Sequence, residues 1–316
     1  MLACRVLSKG SGNARRLVIS AAAKVNLALE VLSKRPDGYH EIATVMQAVD
    51  LSDRLTLEDA PTIEVCTSAP GVPTDERNLA YRAAAALQGA AKVERGARIT
   101  LDKRIPVAAG LGGGSTDAAA TLAGLNRLWQ LQWPAERLEE LAVGLGMDVP
   151  FFLRGGAALG TGRGERLTEI PSAALGLVLV NPRFPVSTAE TYGRVTPAMY
   201  SDGGRARTMA EALARRGAGR VAASLYNGLE LAARQGYPQI AQMKAALIAA
   251  GALGAMMSGS GPTVFGVARS WEQARQIRAR VSRGAWECWA VRTLRGPAIR
   301  MRLEGSRGTL RGCPSQ

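Results

Sequence analysis

The sequence predicts an α+β fold built in two halves, on three observations. Residues 16–58 alternate apolar and polar side chains at the period of a strand. Residues 99–129 pass from a short β-branched run through a glycine-rich turn into a helix with one apolar stripe. From Ile170 onward, strands, helices and a second glycine turn complete another α+β unit. A chain of 316 residues can bury a sizeable core and fits one large or two medium domains. The expected limits are a basic tail over 1–16, a first domain over 17–169, a second over 170–295 and a second basic tail over 296–316.

In the first strand Val25, Leu27, Leu29 and Val31 alternate with Asn26, Ala28 and Glu30, which places Lys24, Asn26, Ala28 and Glu30 on one face. Leu55 and Leu57 alternate with Thr56 and Glu58 in the next. Between them Pro36-Asp37-Gly38 is a turn that presents Tyr39 and His40 side by side. One is a stacking face and the other a hydrogen-bonding edge, a pair suited to a nucleobase, although an ordinary packed or exposed loop accounts for them as well. His40 is the only histidine, which excludes multi-histidine metal sites and makes any Ser-His-Asp triad depend on it.

The glycine-rich turn is the most informative stretch. Ile99-Thr100-Leu101 reads as strand, Pro106 ends regular pairing, and Ala118, Leu122, Leu125 and Trp129 recur at helical spacing. Ser115, Thr116 and Asp117 can each cap that helix. The glycines just before the cap leave no side chains over the helix N-terminus, so its free N–H groups suit an anion, most often phosphate. No Lys follows the glycines as in a Walker loop, and the Gly-x-Gly-x-x-Gly dinucleotide pattern fails at Ser115. A plain glycine turn with a capped helix is the alternative.

Trp133-Pro134 then breaks the chain before a helix over Ala135 to Leu145. Asp148, ahead of Val149-Pro150-Phe151-Phe152, reads as an N-cap. Gly155 to Glu165 is a glycine-spaced hairpin and Gly176 to Val180 a buried strand. Phe184 to Glu190 reads as a loop and capped helix start, and Tyr237 to Ala250 as helix. Ala255 to Phe265 is strand, glycine turn, strand, which is either a simple hairpin or a second backbone cradle facing the first. A helix over Trp271 to Arg283 and a strand over Trp286 to Arg292 follow, and beyond Gly296 an Arg- and Gly-rich tail without periodicity.

The formal charge of +14 raises a nucleic-acid reading. The ends carry much of it: Arg5, Lys9, Arg15 and Arg16 stand without an acid, and residues 295–316 set five Arg against Glu304. The body retains a modest excess that suits anionic substrates, and no aromatic-rich basic patch accompanies it. Arg205, Arg207, Arg215, Arg216 and Arg220 read as a solvated face. Cysteines 4, 66, 288 and 313 are scattered, which indicates neither zinc nor a disulfide framework and fits a reducing cytoplasm. The weakly polar run Ala245 to Met257 falls short of the ~20 residues of a membrane span. The basic first 16 residues lack the apolar core of a secretory signal.

Pro106 to Ala118, Pro-Val-Ala-Ala-Gly-Leu-Gly-Gly-Gly-Ser-Thr-Asp-Ala, resembles the phosphate-binding motif of the GHMP kinases. Ala-Ala-Lys-Val-Asn-Leu at 22–27 and Arg-Pro-Asp-Gly-Tyr-His-Glu at 35–41 make the chain similar to the members that phosphorylate a CDP-linked sugar alcohol on the non-mevalonate isoprenoid route. The resemblance spans about residues 17–292 and implies a two-domain GHMP kinase fold with the active site in the interdomain cleft. It implies ATP and Mg²⁺, phosphorylation of the acceptor's 2-hydroxyl, no dedicated protein metal site, and no nucleic acid or membrane partner. A monomer or weak homodimer is expected. Pro106, Val107, Ala108, Ala109, Gly110, Leu111, Gly112, Gly113, Gly114, Ser115 and Thr116 would hold the ATP phosphates. Asp148 would be the catalytic base and Lys24 would keep it ionised; Asn26, Tyr39, His40 and Thr188 would join Asp148 on the acceptor. Tyr226-Asn227-Gly228-Leu229-Glu230 is similar to a family segment, with Gly228 where an acid is usual. Two alternatives stay open: a homoserine- or mevalonate-type GHMP kinase, and a basic nucleic-acid-binding protein, since GHMP domains resemble a ribosomal-protein fold.

Overall fold

The computed structural model describes residues 16–282 and 286–304. The first half comprises β1 (Arg16–Lys34), β2 (His40–Ala60), β3 (Glu64–Thr67), α1 (Leu79–Ala91), β4 (Gly96–Asp102), α2 (Gly113–Leu128), α3 (Ala135–Leu145), α4 (Val149–Arg154), β5 (Ala157–Thr161) and β6 (Arg166–Ile170). The second comprises β7 (Gly176–Asn181), α5 (Thr188–Gly193), α6 (Gly204–Ala214), α7 (Ala218–Ala223), β8 (Tyr226–Asn227), α8 (Glu230–Gly236), α9 (Gln239–Ala249), β9 (Gly254–Met257), β10 (Val264–Ala268), α10 (Trp271–Val281), β11 (Glu287–Arg292) and β12 (Ile299–Glu304).

β1 and β2 form an antiparallel hairpin closed at the expected turn, where Asp37 Oδ1 accepts from the Tyr39 N–H at 3.1 Å. Strands of 19 and 21 residues far exceed the usual five or six, and register shifts between Ala22 and Ala23, Asn26 and Ala28, and Val31 and Ser33 divide them. On one side of these bulges the sheet continues as β12-β1-β2-β4-β3; on the other β5 joins β2, β6 joins β5 and β8 joins β1 in parallel. A separate sheet runs β11-β7-β10-β9.

Three apolar layers hold these pieces together. Helices α1 to α4 cover the first sheet through Leu87, Leu122, Leu125, Phe151 and Phe152 against Leu17, Ile19, Leu55 and Leu57. A middle layer joins the sheets, with Val25, Leu27, Ile105 and Leu111 against Leu177, Leu179, Phe265 and Val267. The far face of the second sheet buries Val178, Val180 and Val264 against α8, α9 and α10. Burying an aromatic such as Phe151 stabilises the fold by about 1.5–3 kcal/mol. The buried run at β7 and the helix over Ala135 to Leu145 take the predicted form.

Two expectations are corrected. The chain beyond Gly296 is not wholly an irregular tail: Ile299–Glu304 pairs antiparallel with β1, Ile299 opposite Ala21 and Glu304 opposite Arg16. Ile299, Met301 and Leu303 alternate with Arg300 and Arg302, a strand period hidden by the arginine content, and Ile299 and Met301 pack on the first core. Residues 1–15 and 305–316, which make up most of the predicted tails, and Arg283 lie outside the described residues. The second correction concerns α2, which starts behind Gly112 in the left-handed region at φ 73° with no side-chain cap. Ser115, Thr116 and Asp117 therefore sit inside the helix and not at its cap, Thr116 and Asp117 buried.

Candidate active site

The site forms where the turn between β4 and α2 meets the turn between β9 and β10. In the first turn Ala108, Gly110 and Gly112 have φ of 50°, 75° and 73°, and the intervening residues do not, so φ alternates in sign. Successive N–H groups in such an alternation converge into an anion-binding concavity, here continuous with the N-terminus of α2. The second turn fastens to it: Ser258 Oγ donates to the Gly110 carbonyl at 2.8 Å, and Thr263 N donates to the Ala109 carbonyl at 3.3 Å. From the other side Lys24 N donates to the Leu111 carbonyl at 3.0 Å.

The glycines serve this packing more than they keep the helix end open. A Cβ on Gly110 would lie 2.1 Å from the Ser258 carbonyl oxygen, one on Gly112 would lie 2.6 Å from the Phe152 ring, and one on Gly113 would point inward to Ile105 at 3.0 Å. Only at Gly114 is there ordinary room, with Leu79 at 3.5 Å. The expectation that all four glycines clear space for a ligand is thus corrected.

Beneath this cradle Lys24 is 4 % exposed. Its Nζ donates to Asn26 Oδ1 at 2.6 Å and lies 3.2 Å from Asp148 Oδ2. Burial among apolar neighbours makes an uncompensated ammonium costly, so this placement requires the carboxylate partner. Asn26 in turn donates from Nδ2 to Thr44 Oγ1 at 2.8 Å, which fixes its oxygen toward the lysine. Asp148 stands at the N-cap position of α4 but makes no cap hydrogen bond; its carboxylate is given to Lys24 instead, with 35 % of the side chain exposed. Lys24 and Asn26 share a face as predicted, whereas Glu30, past the bulge at Asn26/Ala28, is redirected to accept from Ala206 N at the start of α6 at 2.8 Å.

Tyr39 and His40 have different ring neighbours. His40 stacks on Tyr192 with centroids 5.3 Å apart and meets Tyr200 edge-on at 6.4 Å. Tyr39 is 53 % exposed and has the Arg163 guanidinium over its ring at 5.1 Å. Partial burial, and then Lys34, hold the His40 imidazole below its ordinary pKa, so near neutral pH it is uncharged and has one donor and one acceptor nitrogen. Tyr192 links the two ends of the site: loss of solvent, and then the Asp148 carboxylate, push its phenol upward, so the hydroxyl stays protonated. Thr188 Oγ1 and Ser260 Oγ lie 2.8 Å apart, tying the start of α5 to the second glycine turn.

Sequence reasoning missed Tyr192, Ser258 and Ser260 as site neighbours. The glycine-spaced hairpin at 155–165 gave no sign that its Arg163 flanks Tyr39. Asn227 and Glu230, from the segment carrying Gly228, support the second turn: Asn227 Nδ2 donates to the Met257 and Gly259 carbonyls at 2.8 Å each, and Glu230, paired with Lys244, accepts from Met257 N at 3.1 Å. Gly228 contributes through its backbone N–H to the Leu29 carbonyl at 2.8 Å. No helix among the described residues is long and apolar enough to cross a membrane.

A converging N–H cradle beside a buried lysine–carboxylate pair is the equipment of a small-molecule kinase, and family comparison defines the same class. Residues 78–156 match the model of the GHMP kinases N terminal domain and residues 209–287 that of the GHMP kinases C terminal domain. This class uses ATP to phosphorylate a small molecule. A protein of Pelotomaculum thermopropionicum named 4-diphosphocytidyl-2-C-methyl-D-erythritol kinase is 49 % identical over 276 residues, 86 % of this chain and 96 % of that protein. One of Gloeobacter violaceus with the same name is 48 % identical over 83 % of this chain and 88 % of its own length. A crystal structure titled 4-(cytidine 5'-diphospho)-2C-methyl-D-erythritol kinase superposes with a TM-score of 0.75 at 36 % identity, covering 87 % of this chain and 98 % of that one. The chain belongs to this family of GHMP kinases. A homoserine kinase from Cytophaga hutchinsonii, at 20 % identity and a TM-score of 0.73, shares the fold.

Proposed function

We propose that this chain transfers the γ-phosphoryl group of ATP to the 2-hydroxyl of 4-diphosphocytidyl-2-C-methyl-D-erythritol, in isoprenoid precursor biosynthesis. The observation that carries the reading is Lys24, buried beneath the phosphate cradle and 3.2 Å from Asp148. Phosphoryl transfer asks a protein mainly for positioning and charge neutralisation. The loop from Pro106 to Thr116 would hold the nucleotide phosphates through its free backbone N–H groups. Asp148 accepts the proton of the acceptor hydroxyl as its oxygen bonds to the γ-phosphorus, and the bond from that phosphorus to the β,γ-bridging oxygen breaks to release ADP. Lys24, 3.2 Å from Asp148, would orient that carboxylate and offset negative charge on the transferred group. Mg²⁺, carried in with the nucleotide, would supply neutralisation of the phosphate charge. The described residues hold no cluster of three or more His, Cys, Asp or Glu that could bind a metal.

At the other end His40, Tyr192 and Tyr39 would hold the cytosine, with Asn26 and Thr188 between base and reacting hydroxyl. The family relation favours this acceptor over homoserine or mevalonate, because the relatives covering most of the chain bear the cytidine name and the homoserine kinase shares the fold alone. A cytoplasmic monomer or weak homodimer with no nucleic-acid partner completes the proposal. It is tested by ADP release with three acceptors. Turnover with the cytidine compound and little with homoserine or mevalonate is expected; preference for either of the latter overturns the substrate.

A further inference from the structure

Directly behind the phosphate loop lies an ionic cluster that the reaction above does not use. Lys103, at the end of β4, donates from Nζ to Asp117 Oδ2 at 2.6 Å and pairs with Asp53 Oδ2. Asp53, on β2 and 1 % exposed, also accepts at Oδ1 from the N–H groups of Arg104 at 2.6 Å and Ile105 at 2.9 Å, the last two residues before Pro106. Asp117 is 3 % exposed, lies just past the first turn of α2, and its Oδ1 has no partner. One carboxylate thus holds the chain entering the loop and the other the helix that leaves it, with one ammonium between them. The ammonium sits against the loop's end: a Cβ on Gly113 would be 3.3 Å from Lys103 Nζ. We propose that Lys103, Asp53 and Asp117 act as one positioning unit for the phosphate loop and transmit their charge to the nucleotide bound over the first turn of α2. This rests on the reading of the loop as the ATP cradle.

The charge count gives the unit a second property. With both carboxylates ionised the trio is net negative behind an anion site; with one protonated it is neutral. Burial first of all, opposed by Lys103 and reinforced by Asp53, raises the Asp117 carboxyl to about 7. Two further cations belong to this region, Lys24 on β1, beside Gly112, and Arg104, whose exposed guanidinium pairs with Asp102; the buried side chains of α1, α3 and α4 packed on α2 belong to the apolar core. A bound polyphosphate disfavours the net negative trio, so binding raises the Asp117 pKa further and is strongest at the lower end of the titration. Affinity is therefore fully present below about pH 7 and declines as pH rises through it. Merely structural anchoring would predict no such dependence.

The test is calorimetric titration of the full chain with ADP between pH 6 and 8.5, for wild type and Asp117→Asn, with thermal melts to confirm folding. The nucleotide's own protonation is common to both proteins and cancels in the ratio. The expected result is that wild-type affinity divided by variant affinity falls about tenfold across the range, which corresponds to a one-unit rise of the Asp117 pKa on binding. A ratio constant with pH overturns the proposal. Should Asp117→Asn not fold, proton uptake by wild type at pH 7.5, taken from ADP binding heats in two buffers of different ionisation enthalpy, decides instead. Uptake beyond that of ADP alone supports the coupling and none overturns it. Absence of ADP binding by wild type at any pH would instead remove the nucleotide reading on which the inference stands.

Discussion

Gly110→Ala puts the meeting of the two glycine turns under direct test. The new methyl group would lie 2.1 Å from the Ser258 carbonyl oxygen and 3.1 Å from both N and O of Gly261, all backbone atoms that no rotamer change can move. Restoring ordinary contact requires the turns to part by roughly 1 Å. At φ 75° the alanine also occupies the left-handed region, at about 1–2 kcal/mol. A displacement of about 1 Å between groups that orient reactants costs on the order of 10²-fold in rate. Gly110→Ala is therefore expected to lower kcat/KM for ATP about 10²-fold and to lower Tm by about 2–4 °C for each kcal/mol of strain retained. The assay is ADP release at saturating acceptor beside a thermal melt. Gly89→Ala, inside α1 where a Cβ meets nothing within 4 Å, is the control and should leave kcat/KM unchanged and not lower Tm. A Gly110→Ala enzyme with kcat/KM within threefold of wild type would show that the contact does not shape the loop.

Further outcomes follow from the acceptor end. Tyr39→Ala should lose a stacking contact of about 1–3 kcal/mol, roughly a five- to 150-fold rise in acceptor KM, and His40→Ala a base-edge hydrogen bond of about 1 kcal/mol. ATP KM should hardly move in either, and wild-type acceptor KM in both variants removes the base pocket from these residues. Ser260→Ala severs the link to Thr188 and should raise acceptor KM about fivefold, one hydrogen bond's worth. A change in ATP KM alone would reassign Ser260 to the nucleotide side.

Much of this architecture was legible because its signals were local. The hairpin turn at Pro36-Asp37-Gly38, the helix over Ala135 to Leu145 and the buried run at β7 are each set by neighbouring residues. What escaped depends on contacts far apart in sequence. The alternation in β1 gave the face of Lys24 but not its burial, which follows from the loop packed over it, through the bond from its N–H to the Leu111 carbonyl. The glycines of the loop announced a cradle, but that Gly110 must be small because of Ser258, and Gly113 because of Ile105, could be seen only in the fold. Tyr192 lies near the end of the short helix α5, and nothing near it in sequence signals that His40, 152 positions earlier, stacks on its ring. β12 was lost to composition, since its arginines hid an alternation of Ile299, Met301 and Leu303.

The central claim, that Asp148 is the base beside an independently formed nucleotide cradle, meets its most direct test in Asp148→Asn. ADP affinity by calorimetry and turnover of the cytidine acceptor are measured on the same preparation. Affinity within about threefold of wild type, with turnover lowered by the ~10²–10⁴ that general bases contribute, is the predicted result. A folded Asp148→Asn enzyme that turns over within tenfold of wild type would contradict it.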